Sequence, residues 1–274
     1  PETGTEIGKI LNLPAGDAQV VSELAGCGFR NPEAAHRNLL HLAFGHGDTV
    51  PASTPSQPVL RLVPRLLDEL RGSANPDRGL NNVERMLRAF GAVDSFADLL
   101  SSHNAFLNLL VTIAARSEAL TETISRDPGL VDWMLYSGAL FAERHPEDVE
   151  LESRAAVAGL PSAALQIAAL HSFRKRENLR VGVRFLMDLA NEEETSEQLT
   201  AIAESVVKRV VSVASRSLAG AAAENRSYQW AIIGLGKLGG REMNFGSDLD
   251  IFFVHAEEQD EGQCVDYVTS LAQE

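Results

Sequence analysis

The fold is decided by residues 230–255, W-A-I-I-G-L-G-K-L-G-G-R-E-M-N-F-G-S-D-L-D-I-F-F-V-H. This stretch begins and ends with short apolar runs, at residues 230–233 and 251–254. Because both runs have strand length and contain no charged residue, we predict two buried strands of a sheet that helices cover. The segment between them holds the residues that bear on function.

The first motif in that segment is a glycine pattern. Gly234, Gly236 and Gly239 have the spacing G-x-G-x-x-G after an apolar run, which is typical of dinucleotide-binding folds. Such a fold also needs a full helix after the glycines. Only eight residues separate Gly239 from Asp248, and residues 244–247 (N-F-G-S) have turn composition. The spacing therefore disfavours a dinucleotide site.

The second motif is D-x-D, formed by Asp248 and Asp250 where the second apolar run begins. Side chains alternate along a strand, so we predict both carboxylates on one face. Two such carboxylates repel unless a cation lies between them or one takes up a proton. Mg²⁺ is the expected cation, since it favours carboxylate oxygens together with substrate phosphates. With glycine-turn amides approaching a triphosphate, this pattern indicates metal-assisted phosphoryl or nucleotidyl transfer.

Composition limits the classes of partner. The chain has 274 residues, a formal net charge of −14 and 45% hydrophobic residues. That charge argues against binding to duplex nucleic acid or to an anionic membrane. Pro161 interrupts the richest apolar stretch, so no transmembrane helix is expected. Cys27 and Cys264 lie far apart, which favours a reducing cytoplasm over a disulfide framework. The chain begins with Pro1, so we expect a piece of a longer protein.

Most of the chain is predicted to be helical. No alternating strand pattern occurs before residue 228, and Leu and Ala dominate. Asn31-Pro32-Glu33 supplies an N-cap, a first-turn proline and an acid, which predicts a helix that ends near Phe44. We predict a loop at residues 73–78 and a helix at residues 81–90.

Two further expectations concern the later helices. Thr195 and Gln198 match a capping box, which would leave residues 192–194 (E-E-E) in a solvated loop before the helix. Arg176, Arg180 and Arg184 are four apart and would stack along one helix face. We expect that face to be solvated or salt-bridged; the alternative is that it faces the acidic edge of the site or a phosphate.

The longer string resembles known families. A glycine turn after one strand and S-D-[ILV]-D on the next strand is similar to the DNA polymerase β-like nucleotidyltransferases. Residues 234–250 as a whole resemble, without a gap, the signature of glutamine synthetase adenylyltransferases. These bifunctional enzymes add AMP to a glutamine synthetase tyrosine and remove it. Weaker resemblances to the family's helical regions lie at residues 28–35 (GFRNPEAA), 75–85 (NPDRGLNNVER) and 173–180 (FRKRENLR).

This resemblance implies a fold and a domain order. The expected fold is mostly α, with a long helical region followed by the opening strands of an α+β polymerase β-like core. Residues 1–160 would form the helical region that lies between the two catalytic cores of the family. Residues 161–274 would form the N-terminal part of a nucleotidyltransferase domain. The implied partners are glutamine synthetase and a PII-type signalling protein.

The resemblance also implies a site. Asp248 and Asp250 would be the catalytic acids and would hold Mg²⁺, with ATP as the substrate. Ser247 would bond either a phosphate or the turn itself, and Lys237 would either contact phosphate or face water. The residues implied to contact ATP are Gly236, Lys237, Gly239, Gly240 and Ser247. We assign Glu242 and Asn244 to shaping the turn rather than to the chemistry.

The chain departs from the family in one respect. A third carboxylate normally lies on a later strand, within a D-x-R-L-R-P segment, and neither Asp260 nor Asp266 has that context. We therefore expect only the opening of the catalytic core and negligible activity of this chain alone. The inter-core-like helices favour the adenylylating half. The alternatives are the deadenylylating, phosphorolytic half and a non-catalytic docking or regulatory fragment.

Overall fold

The computed structural model describes residues 11, 13, 17–45, 54–142, 144–221, 229–255, 266 and 269–270. The chain divides into two compact units, Pro1–Ser137 and Gly138–Glu274. The described residues are mostly helical and contain one two-stranded sheet. The predicted fold class is thereby confirmed. None of the described helices is long and apolar enough to cross a membrane.

The described part of the first unit consists of helices. Their apolar faces pack together, and the third helix alone buries Val59, Leu62, Leu66 and Leu70. The helices are α1 (Ala18–Gly26), α2 (Pro32–Phe44), α3 (Gln57–Arg71), α4 (Pro76–Ala89), α5 (Val93–Ser102), α6 (Asn104–Arg116), α7 (Glu118–Arg126) and α8 (Gly129–Tyr136).

Two Asn-Pro motifs begin helices in this unit. Asn31 caps α2 by accepting from the backbone N–H of Ala34, as the sequence predicted. Asn75 caps α4 in the same way, so the prediction of a loop at residues 73–78 was wrong from Pro76 onward. The physical reason is that Asn-Pro-Asp offers the same N-cap and first-turn proline as Asn-Pro-Glu.

The second unit begins with three packed helices, α9 (Pro146–Val157), α10 (Ala163–Leu186) and α11 (Glu192–Ala221). Contacts between α9 and both later helices group it with this unit. The boundary between the two units therefore lies between Ser137 and Gly138, whereas the sequence suggested a boundary after residue 160. The functional assignment of the two regions stays a prediction.

The start of α11 corrects the sequence prediction. Asn191 is the cap: its side chain accepts from the Glu194 N–H at 2.9 Å, and the Glu194 carboxylate accepts from the Asn191 N–H at 3.0 Å. This reciprocal pair is a capping box. Residues 192–194 thus form the first helical turn instead of a loop, because acids there interact favourably with the helix dipole.

The sheet consists of β1 (Trp230–Gly234) and β2 (Ile251–His255), joined through the short helix α12 (Gly236–Gly239). The strands are antiparallel, and Ile232 pairs with Phe253. A dinucleotide-binding βαβ unit needs parallel strands and a long crossover, so this pairing excludes that interpretation.

Within the described residues, one face of the sheet packs on helices and the other is exposed. Ile233 and Phe252 lie opposite each other on the two strands, and each is 41% exposed. On the other face Ile251 packs against the helical core. The prediction of two buried strands was therefore wrong for the face of Ile233, because alternation places every second side chain of an antiparallel pair on the solvent side.

Candidate active site

The glycine turn after β1 is tight for steric reasons. A Cβ at Gly234 would meet the Leu238 side chain at 3.0 Å, and a Cβ at Gly239 would overlap the carbonyl oxygen of Gly234. Any larger residue at position 239 would force strand and turn apart. The glycine spacing that resembles a dinucleotide motif thus serves close packing within the turn.

Gly236 brings the turn to the acidic motif. Its φ is +50°, a region that favours glycine, and a Cβ there would lie 2.9 Å from Oδ2 of Asp250. The backbone is joined at the same point, since the Leu235 N–H donates to the Asp250 carbonyl at 2.8 Å. The glycine turn and Asp250 therefore form one local structure.

Asp248 and Asp250 lie just before β2 and outside it, and both are exposed to solvent. That the two carboxylates share one face therefore stays a prediction. Across the residues that the structure describes, no group of three or more His, Cys, Asp or Glu side chains could hold a metal ion. The D-x-D motif itself supplies two carboxylates. Such a donor set suits Mg²⁺, which is often held by one or two carboxylates while water and substrate phosphates complete its shell.

A polar turn lies between the glycines and the acids. Asn244 Oδ1 accepts a hydrogen bond from Lys237 Nζ at 3.2 Å and another from the Ser247 hydroxyl. The Asn244 N–H donates to Ser247 Oγ at 3.1 Å. Of the two roles expected for Ser247, this structure contains the bond to the turn; a contact with phosphate stays a prediction. Lys237 is held by Asn244, whose turn-shaping role is as expected.

The amides of the last two glycines are used inside the turn. Gly239 N–H donates to the Leu235 carbonyl, and Gly240 N–H donates to the Gly236 carbonyl, both at 2.9 Å. A phosphate that approached these two amides would compete with these bonds. Their binding of ATP stays a prediction, whereas the need for a small residue at position 239 follows directly from the structure.

Two apolar anchors hold this loop on the helices. Leu238 of α12 and Met243 are 8% and 5% exposed, and both join a cluster with Val149, Val181 and Ile202 of α9, α10 and α11. Six residues, 244–249, separate Met243 from Asp250. Neither anchor was predicted from the sequence, where Leu238 and Met243 are two of several apolar residues in this segment.

A second contact secures the tip of the loop. The Phe245 ring packs against the Phe185 ring of α10, with centroids 6.4 Å apart. Phe245 itself remains 45% exposed. The segment that leads into Ser247 and Asp248 thus rests on α10 through one aromatic contact.

The arginine face of α10 is partly internal. Arg180 is fully buried; its Nε donates to Glu177 at 2.9 Å and its Nη2 donates to Gln198 of α11 at 2.7 Å. Arg144 also bonds Glu177, at 3.1 Å. Burial lowers the pKa of Arg180, and the charge of Glu177 opposes that shift. Of the two expectations, a salt-bridged position therefore applies to Arg180, with the pair lying inside the helical unit.

Comparison with known proteins connects this geometry to a family. A profile of the family described as glutamate-ammonia ligase adenylyltransferase matches residues 107–274. This range contains the whole second unit, including the glycine turn and both acids.

Individual relatives agree. The chain is 31% identical over 245 residues to a bifunctional glutamine synthetase adenylyltransferase/adenylyl-removing enzyme of Leifsonia xyli subsp. xyli. It is 30% identical over 247 residues to the protein of that name from Xanthomonas oryzae pv. oryzae, and 29% identical over 267 residues to that of Pseudomonas aeruginosa. These alignments cover 88%, 89% and 92% of this chain but only 23%, 25% and 27% of the relatives.

Proposed function

The chain belongs to the glutamate-ammonia ligase adenylyltransferase family, and from that premise we propose that residues 234–250 form part of a Mg²⁺-dependent site for AMP transfer between ATP and a tyrosine of glutamine synthetase. The observation that carries this proposal is the approach of Gly236 to Asp250. This approach places the glycine turn, which is expected to face phosphates, next to the Asp250 carboxylate, which is expected to bind metal. The names of the relatives support the substrate protein.

Asp248 and Asp250 would hold Mg²⁺. The bound ion would supply charge neutralisation to the ATP phosphates and to the departing pyrophosphate. The chain's own contribution is to fix the acids. Asp250 is tied through its backbone to Leu235, and the lack of a side chain at Gly236 leaves its carboxylate room at the turn.

The phosphates would lie along the turn that carries Gly236, Lys237, Gly239, Gly240 and Ser247. The ammonium group of Lys237 would oppose part of their charge. Both Gly236 and Lys237 are exposed, so this side of the turn is accessible to a ligand. We further propose that the reaction takes place in the cytoplasm and responds to a PII-type signalling protein.

The direction of the reaction decides between the two halves of the family enzyme, and we propose the adenylylating half. The test is to mix the chain at stoichiometric concentration with glutamine synthetase, Mg²⁺ and ATP labelled in the α-phosphate. We expect label on glutamine synthetase that is absent with Asp250→Asn. Release of ADP from AMP-modified glutamine synthetase upon addition of phosphate would identify the phosphorolytic half instead.

We also propose that this chain alone has negligible steady-state turnover, because neither Asp260 nor Asp266 has the sequence context of the third carboxylate. A single-turnover format suits that expectation, since one transfer per chain is then detectable. Capture of glutamine synthetase by the chain without nucleotide, with no reaction in either direction, would instead support a docking fragment.

A further inference from the structure

We propose that Asn244 is a positioning residue that presents the Lys237 ammonium to the phosphates of a nucleoside triphosphate, and that the site requires a neutral side chain there. This inference rests on the proposed function, because it assigns a task within the same site. It concerns a residue that otherwise only shapes the turn.

Asn244 connects two polar groups, Lys237 of the glycine turn and Ser247, which directly precedes Asp248. Its Oδ1 accepts from Lys237 Nζ at 3.2 Å and from the hydroxyl of Ser247. Lysine has a long, flexible stem, and an exposed lysine loses side-chain entropy when it is held in one place. The amide oxygen holds the ammonium on the side of the loop that leads to Asp248, without neutralising its charge.

Asn244 can act in this way because its own position is fixed. Its N–H donates to Ser247 Oγ and its carbonyl accepts from the Ser247 N–H, both at 3.1 Å. The preceding residue, Met243, is buried in the helical cluster. Lys237 is therefore held by a small closed turn whose base is anchored in the core.

The identity of the side chain at position 244 distinguishes positioning from shaping. Aspartate has nearly the shape of asparagine and keeps an acceptor oxygen for both bonds. It would, however, neutralise Lys237 and add a negative charge to the loop that carries Asp248 and Asp250. If Asn244 only shapes the turn, Asn244→Asp should weaken triphosphate binding less than Asn244→Ala does. If Asn244 positions Lys237, Asn244→Asp should weaken triphosphate binding more than Asn244→Ala does.

The experiment titrates wild type, Asn244→Asp, Asn244→Ala and Lys237→Gln with Mg²⁺-ATP, inorganic tripolyphosphate and AMP by calorimetry. Asn178→Asp adds the same charge on α10 and serves as the control. We expect Asn244→Asp to weaken binding of both triphosphates by about fivefold, the size of an exposed ion pair. Lys237→Gln should do the same, Asn244→Ala should weaken binding less, and AMP binding should change little.

Melting temperatures of all variants show whether the fold is intact. Wild-type affinity in Asn244→Asp, stronger loss in Asn244→Ala than in Asn244→Asp, or wild-type tripolyphosphate affinity in Lys237→Gln would each overturn the inference. A wild-type chain that binds neither triphosphate would instead contradict the proposed function. The two failures are therefore distinguishable.

Discussion

Gly236 and Asp250 are separated in sequence by residues 237–249, yet a Cβ on Gly236 would lie 2.9 Å from the Asp250 carboxylate. The backbone of Gly236 also has a φ of +50°. Both features require glycine, but for different reasons. The close approach leaves room for the Asp250 carboxylate only if position 236 has no side chain. The positive φ is a backbone conformation that glycine adopts without strain.

The change Gly236→Ala should therefore damage the site more than the fold. We expect Mg²⁺-ATP affinity to fall at least about tenfold as the Asp250 carboxylate is displaced, with roughly 1 kcal/mol lost in unfolding free energy through backbone strain. The control is Gly159→Ala, at a φ of +74° with no atom near its Cβ. Equal loss of ATP affinity in both variants would show that general destabilisation, not the carboxylate, is responsible.

The buried ion pair between Glu177 and Arg180 of α10 should stabilise the second unit. Glu177→Gln removes the charge paired with buried Arg180 and one of the two carboxylates paired with Arg144. Because it leaves buried cationic charge uncompensated, we expect a loss of about 3 kcal/mol in unfolding free energy. The matched control is Glu204→Gln, whose pair with Arg241 is exposed and should contribute less than about 1 kcal/mol.

Urea unfolding measures this difference. The chain has two tryptophans, one in each unit, so a Trp133→Phe background leaves Trp230 as the fluorescence reporter of the second unit. Similar losses for the two glutamates would mean that Glu177 contributes no more than a surface charge, contrary to its burial.

The cap of α11 is a separate contribution. Asn191→Ala removes the side-chain oxygen that accepts from Glu194 N–H, and should cost about 1 kcal/mol in unfolding free energy. Asn191→Asp keeps an acceptor and should remain within a few tenths of a kcal/mol of wild type. The Trp230 unfolding curve measures both. If Asn191→Ala left the unfolding free energy unchanged, the effective N-cap of α11 would be another residue, for example Thr195.

Glu118 of the first unit provides a pH prediction. A hydrogen bond from Asn82, together with the neighbouring Arg85, lowers the pKa of Glu118 below its ordinary value. Since the folded pKa is depressed, this stabilisation is fully present above about pH 4.3, the pKa of an unfolded glutamate, and is lost as the pH falls through the folded value. Asn82→Ala should raise the pKa towards its ordinary value, as carboxyl NMR titration would show. An unchanged pKa would contradict the assigned cause.

Local sequence signals predicted part of this structure well. Asn31-Pro32 defined a helix start, and the apolar runs around residues 234–250 defined both strands, because these signals act over a few neighbouring residues. The D-x-D motif and glycine turn were predicted as one site; the structure brings Gly236 close to Asp250, and the site itself stays a prediction.

Other features depend on contacts between distant residues. The burial of Arg180 depends on Gln198 of the next helix, and the anchoring of Met243 depends on a cluster assembled from three helices. The exposed face of Ile233 could not be predicted either, since an apolar run does not tell which of its sides other elements cover. Competing caps are equally ambiguous: Asn191 and Thr195 both had suitable partners three residues later.

The most direct test of the central claim is whether ATP binding depends on Mg²⁺ and on both acids. Calorimetric titration of the chain with ATP should give Mg²⁺-dependent binding that falls at least about tenfold in Asp248→Asn and in Asp250→Asn. Asp188→Asn, an exposed acid of the same unit, should bind like wild type. Binding that is equally tight without Mg²⁺, or unchanged in both site variants, would contradict the assignment of residues 234–250 as a metal-dependent nucleotide site.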